Sequence, residues 1–162
     1  MHRINGILIP GGDGDLADSG YRRISEAAIK YSRRLAKKGI PFPVLGICRG
    51  SQMMIQLVTE EDPLDATDSM NITMPLIFTE EITRSQLFKN APKDLIRLLE
   101  RKPVTFNAHV NSVTVAKFNS IGKLKKQFRI VSTNYDRRGI EFISTFEGRL
   151  YTFKIIQWNN LY

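Results

Sequence analysis

The chain has 162 residues, of which 42% are hydrophobic and 25% charged, and it carries a net charge of +8. This length and balance fit one soluble globular domain over residues 1–162 with a sizeable core. A single cysteine excludes an intramolecular disulfide framework, and no stretch approaches the roughly 18 apolar residues of a membrane span.

The first element in chain order is a short apolar strand over Ile4–Pro10, followed by a Gly11-Gly12-Asp13-Gly14 loop. The opening MHRINGILIPGG does not read as a signal peptide. Its apolar run is too short, and it turns directly into a Pro-Gly-Gly loop. A helix is predicted over Tyr21–Lys38, with Asp18 or Ser19 as cap and Gly39 as stop. Its apolar face is predicted as Tyr21, Ile24, Ala28, Tyr31 and Leu35. Much of the basic excess lies on the other side, in Arg22, Arg23, Lys30, Arg33, Arg34, Lys37 and Lys38. A solvated helix face accounts for these charges better than a nucleic-acid partner does, although they also suit collection of an acidic substrate.

The next strand, Pro43–Gly46, completes a βαβ unit, so the two strands are expected to be parallel neighbours. Gly46, Cys48 and Gly50 then form a G-x-C-x-G pattern ahead of an apolar helix over Ser51–Val58. Strand, tight turn and helix make a nucleophile elbow with cysteine as the nucleophile. The glycines fit a strained turn, and the helix N-terminus favours thiolate. The competing reading is a buried cysteine in an ordinary βα turn. The βαβ connection brings the Pro10–Gly14 loop to the same sheet edge as Cys48. Acyl transfer through a thiol passes an oxyanion that needs fixed N–H donors. The Arg49 backbone and Gly11 or Gly12 are the candidates, set against a plain turn. Strands are predicted over Asn71–Phe78, Val104–Asn107, Ser112–Val115, Phe128–Thr133, Gly139–Thr145 and Tyr151–Gln157. Between them only Lys93–Arg101 reads as helical.

INGILIPGG (4–12), PVLGICRGSQ (43–52), ATDSMNITMPLIF (66–78), the Asn107/His109/Ser112 cluster, TNYD (133–136), IEFISTFEG (140–148) and IIQW (155–158) run nearly end to end. Together they resemble the gamma-glutamyl hydrolases, the folate polyglutamate-trimming branch of the class I glutamine amidotransferase-like superfamily. The resemblance implies an α/β, flavodoxin-like doubly wound sheet with additional strands in the C-terminal half. It implies Cys48 as nucleophile on a gamma-glutamyl amide through a thioester, and His109 and Arg49 at the substrate. It implies no metal or other cofactor. The partners it implies are a gamma-glutamyl peptide or folate polyglutamate and, as in dimeric members of the family, a second copy of the chain. Relatives are secreted, lysosomal or vacuolar.

Two departures accompany the resemblance. The family follows IIQW with a histidine that serves as general base and a glutamate that orients it. Here Asn159 takes the histidine position, and an amide cannot accept a proton near neutral pH. The family pattern also begins earlier and ends later, so the domain is expected to be truncated at both ends. Of the two histidines, His2 precedes the first strand. That strand spans about 20 Å at about 3.3 Å per residue, which puts His2 at the wrong edge of the sheet. His109 is read as a substrate contact, or as a partly buried histidine at a strand end, rather than as the base. The chain is therefore expected to be an impaired cysteine-type hydrolase. The alternatives are an inactive gamma-glutamyl-binding or dimerising pseudoenzyme, or a non-functional truncated product.

Overall fold

The computed structural model describes residues 4–12, 16–149 and 153–156. His2 and Asn159, and Asp13 and Gly14 of the first loop, lie outside the described residues. The first βαβ unit forms as its pattern predicts. Strand β1 (Ile7–Ile9) leads through helix α1 (Gly20–Ala36) into β2 (Val44–Ile47), and the two strands pair in parallel. Of the two cap candidates, Ser19 is the cap: its hydroxyl accepts from the Arg22 amide at 3.1 Å. The buried face of α1 is Ser25, Ala28, Ile29 and Ser32, one position round from the predicted stripe. Ile24, predicted inside, is 65% exposed. The reason is that small side chains let α1 lie close to the sheet. The Ser32 hydroxyl satisfies itself on the Phe42 carbonyl at 2.7 Å, so a polar residue can face inward.

Helix α2 (Arg49–Thr59) follows β2. The main sheet runs β1-β2-β8-β7-β6-β4, where β4 is Ile77–Phe78, β6 Phe128–Tyr135, β7 Glu141–Gly148 and β8 Phe153–Ile156. Strands β1, β2 and β8 are parallel, and β7, β6 and β4 continue the sheet in antiparallel fashion. The sheet is therefore mixed, its parallel half at the N-terminal elements and its added strands from the C-terminal half. One face is covered by α1, α2 and two short helices, α4 (Val115–Ser120) and α5 (Gly122–Gln127). Phe42, Val44, Met54, Ile55, Phe146, Phe153 and Ile155 fill the core between them, nearly all solvent-free. Each such side chain contributes about 1.5–3 kcal/mol relative to exposure. On the opposite face Leu76 packs with Leu99 of α3 (Lys93–Arg101), and Phe78, Phe88 and Ile156 surround them.

The middle of the chain departs most from its predicted elements. The segment predicted as one strand over 71–78 is the end of a ten-residue strand, β3 (Asp65–Met74), and the separate β4. Pro75, which has no amide to donate, divides them. The strands predicted over 104–107 and 112–115 are one strand, β5 (Thr105–Ser112), antiparallel to β3. Val115 begins α4 instead, capped by the Thr114 hydroxyl, which accepts from the Lys117 amide at 3.0 Å. The β3–β5 pair is joined to the main sheet through Val113 and Thr114. The Val113 carbonyl accepts from the Ile143 amide at 2.9 Å, and Thr114 bridges Phe142. At its N-terminal end β7 thus carries this arm on the side that β8 occupies further along.

Glu147 on β7 is buried, 2% exposed, and tied on several sides. Its carboxylate accepts from the Gln86 amide at 2.9 Å and the Leu87 amide at 3.0 Å, and pairs with Lys154 of β8. It pins the 85–88 loop to the sheet. Replacing Glu147 with Ala leaves two amides and a buried ammonium without a partner. The expected loss is on the order of 3 kcal/mol in chemical denaturation, with Glu147→Gln losing less because it retains an acceptor.

Candidate functional site

Cys48 stands between β2 and α2 with φ 52° and ψ −114°, a conformation that costs an L-residue free energy of order 1–3 kcal/mol. It persists because the surroundings fix it. The Cys48 amide donates to the Ile156 carbonyl of β8 at 2.9 Å. The Cys48 carbonyl accepts from the Ser51 and Gln52 amides at 2.9 and 3.2 Å, and from the Ser51 hydroxyl at 2.5 Å. The flanking glycines are needed for space. A Cβ on Gly46 would come within 2.8 Å of the Gly50 carbonyl oxygen. A Cβ on Gly50 would collide with the Ile9 carbonyl and reach 2.8 Å from the Pro10 carbonyl oxygen. The end of β1 therefore lies directly over the first turn of α2, and the Gly11-Gly12 loop starts beside the elbow.

Tyr21 holds that loop. Its hydroxyl donates to the Pro10 carbonyl at 2.6 Å. Burial first, and then the nearby Cys48, push its pKa up to about 12, with Arg49 acting in the opposite sense. Gly12 adopts φ 125°, which a residue with a side chain rarely takes, and both loop glycines are exposed. Arg49, the first residue of α2, donates from Nη1 to Gln52 Oε1 at 3.2 Å, and Gln52 Nε2 donates to the Asn111 carbonyl at 3.3 Å. This link fastens β5 to α2.

The consequence is a contact that sequence reasoning did not assign: His109 Nε2 lies 3.3 Å from Cys48 Sγ. His109 is on the inward face of β5, 4% exposed, and opposite Ser69 of β3, whose hydroxyl donates to the His109 carbonyl at 3.2 Å. Burial pushes its pKa down to about 4. Two polar atoms on this face, His109 Nδ1 and Asn107 Oδ1, make no hydrogen bond among the described residues. Thr67, Ser69, Thr105, Asn107 and Ser112 share the burial, so the inner side of the arm is mainly polar, with Met74 at the end of β3 the exception. Cys48 itself is half-buried and free of disulfide. Two clefts, of about 460 and 590 Å³, lie elsewhere. One is between α1 and α2, and the other is beside Asp65, Thr114 and Glu141. Among the described residues no cluster of His, Cys, Asp and Glu is arranged to hold a metal ion, and no helix is long and apolar enough to cross a membrane.

An elbow cysteine at the edge of parallel strands, facing a glycine loop, is an arrangement suited to thiol chemistry on an acyl group. The family model for glutamine amidotransferase class-I matches residues 1–151. The chain belongs to the class-I glutamine amidotransferase family. It is 40% identical over 156 residues to the gamma-glutamyl hydrolase of Homo sapiens and 39% identical to that of Mus musculus, covering 96% of this chain and 49% of each relative. The chain thus spans about half the length of these relatives. The fold agrees with a glutamine amidotransferase from Thermotoga maritima, at TM-score 0.54 and 17% identity, over 98% of this chain and 57% of that one. The resemblance to gamma-glutamyl hydrolases and the mixed α/β architecture are both borne out.

For a class-I amidotransferase-family chain with a buried, uncharged histidine, acid sensitivity follows. The unfolded chain binds a proton on His109 below about 6.5, whereas the folded chain binds it only near 4. Stability contributed by this group is complete above 6.5 and is lost as pH falls towards 4, by up to about 3 kcal/mol. Denaturant titrations at pH 7 and pH 4.5 are expected to differ by most of that amount, and His109→Gln is expected to reduce the difference.

Proposed function

We propose that the chain carries out cysteine-type hydrolysis of gamma-glutamyl amide bonds, as in the trimming of folyl poly-gamma-glutamates. The observation that carries this reading is Cys48 on its left-handed elbow, in a chain 40% identical to a gamma-glutamyl hydrolase over nearly its whole length. In this reading Cys48 Sγ attacks the gamma-carbonyl carbon. The Arg49 amide and the amides of Gly11 or Gly12 receive the oxyanion, and the amine leaves as a thioester forms. Water then hydrolyses the thioester and releases the glutamyl acyl group as its carboxylic acid. In this reading Arg49 and His109 contact the bound glutamyl group. Hydrolysis is expected to be slow, because Asn159 replaces the family's base and loss of one member of such a unit costs on the order of 10⁴-fold.

A glutamyl-directed electrophile such as a diazoketone analogue of glutamine is expected to label Cys48, with labelling abolished in Cys48→Ala. Labelling that survives this change would remove Cys48 from the role. Binding of a folate polyglutamate without labelling would favour a binding module instead. Asn159→His is expected to raise hydrolysis of a gamma-glutamyl peptide, measured as glutamate release, by at least tenfold. An unchanged rate would show that the absence of a histidine at position 159 is not what limits turnover.

A further inference from the structure

We propose that His109 is the proton acceptor for Cys48 in this chain, with Asn107 as the residue that positions its imidazole. The proposal rests on the acyl-transfer reading of Cys48 for its role in turnover, but the proton transfer itself requires no particular substrate.

Nε2 of His109 is within hydrogen-bond reach of Sγ. A sulfur and an imidazole at this distance exchange a proton only if Nε2 presents its lone pair, so the neutral ring must carry its hydrogen on Nδ1. That hydrogen then needs an acceptor inside the protein. Asn107 Oδ1 is a buried acceptor with none of its capacity used among the described residues, and it lies two residues earlier on the same face of β5. Side chains two residues apart on a strand stand on the same face, so Asn107 and His109 are neighbours on the inward side of β5. The two orphaned atoms are complementary, one a donor and one an acceptor, and an interaction between them would select the tautomer that leaves Nε2 facing Cys48. Burial keeps the ring uncharged down to acid pH, so the acceptor is available wherever the enzyme would operate.

In acylation the thiol proton passes to Nε2 as the S–C bond forms and the carbonyl pair moves to oxygen. The same proton then passes from Nε2 to the departing amine as the C–N bond breaks. The ring returns to neutral and no other reactant is consumed.

Alkylation of Cys48 by iodoacetamide isolates the first half of this step. The S–C bond forms, iodide leaves and the proton goes to Nε2. Tyr21 from α1 is electrostatically coupled to Cys48 and to Arg49 of α2. Tyr21, pushed up to about 12, produces no inflection between pH 4 and 9. From β3 the nearest group to His109 is the Ser69 hydroxyl, which does not titrate in this range. The wild-type rate is expected to rise between pH 4 and 5 and to hold a plateau to about 8, well below the ordinary thiol range near 8.5. His109→Gln is expected to lose about tenfold or more at pH 6 and to converge with wild type above pH 9.5, where the thiol ionises unaided. Asn107→Leu is expected to lose rate at pH 6 in the same direction and to converge likewise.

A wild-type profile that rises once, centred near 8.5, overturns the proposal even if the variants fail to fold. So do superimposable wild-type and His109→Gln profiles. If the predicted profile is found but no gamma-glutamyl electrophile labels Cys48, the proton-transfer pair stands and the substrate class falls. If labelling occurs without the plateau, the substrate class stands and another group takes the proton.

Discussion

The site depends on one close approach, that of the Ile9 and Pro10 carbonyls to the α-carbon of Gly50. A helix normally begins far enough from a neighbouring strand to leave room for side chains. Here the first turn of α2 sits against the end of β1 with nothing between them. That packing fixes where the strand after β1 can turn, and so where the Gly11-Gly12 loop lies relative to Cys48. It also seats the helix so low that Cys48 must adopt positive φ to connect β2 to it. The free energy of that conformation is offset by hydrogen bonds on both sides of the residue, from β8 and from α2.

The second requirement is the β3–β5 arm. Among the described residues the main sheet alone offers Cys48 a glycine loop but no imidazole. The arm hangs from the N-terminal end of β7 through Val113 and Thr114 and is fastened to α2 through Gln52 and Asn111. Those two attachments bring His109 to the sulfur. The buried side of the arm is lined with Thr, Ser, Asn and His rather than aliphatic residues. Such an interior is costly unless its groups are paired, and most are, including Thr67 with Ser112 and Ser69 with the His109 carbonyl. Asp136 supports the arm from outside, accepting from the Asp68 amide at 2.7 Å while its other oxygen accepts from the Ile140 amide at 2.8 Å.

Much of this is legible in the residues, and the misses have two physical causes. The βαβ unit, the elbow and the helix over Lys93–Arg101 follow from hydrophobic period and from Gly and Ser at element ends, signals that act locally. Strand β5 was divided at Asn107 because its inward positions are polar, so the period-two pattern of hydrophobicity vanishes where the strand faces a polar interior. The period was still present as burial, at Thr105, Asn107 and His109. Reading Thr105-x-Asn107-x-His109 as one inward stripe would have aimed the histidine at the elbow. Helices α4 and α5 are six residues each, too short for a helical period to emerge, although the Thr114 cap is a usable sign. In the IEFISTFEG segment, Glu147 is explained by its grip on the 85–88 loop rather than by chemistry at Cys48.

Gly50 offers the most direct measurement, because two effects there have opposite signs. Inside a helix, replacing glycine with alanine ordinarily stabilises by about 1 kcal/mol. Gly122, in α5 with open space around its α-carbon, provides the reference. Unfolding free energies of Gly50→Ala and Gly122→Ala should therefore diverge. Gly122→Ala is predicted to be neutral or stabilising, and Gly50→Ala to destabilise by about 2 kcal/mol or more as the end of β1 is forced away. A Gly50→Ala protein as stable as its parent would contradict the close packing from which the position of Cys48 has been derived.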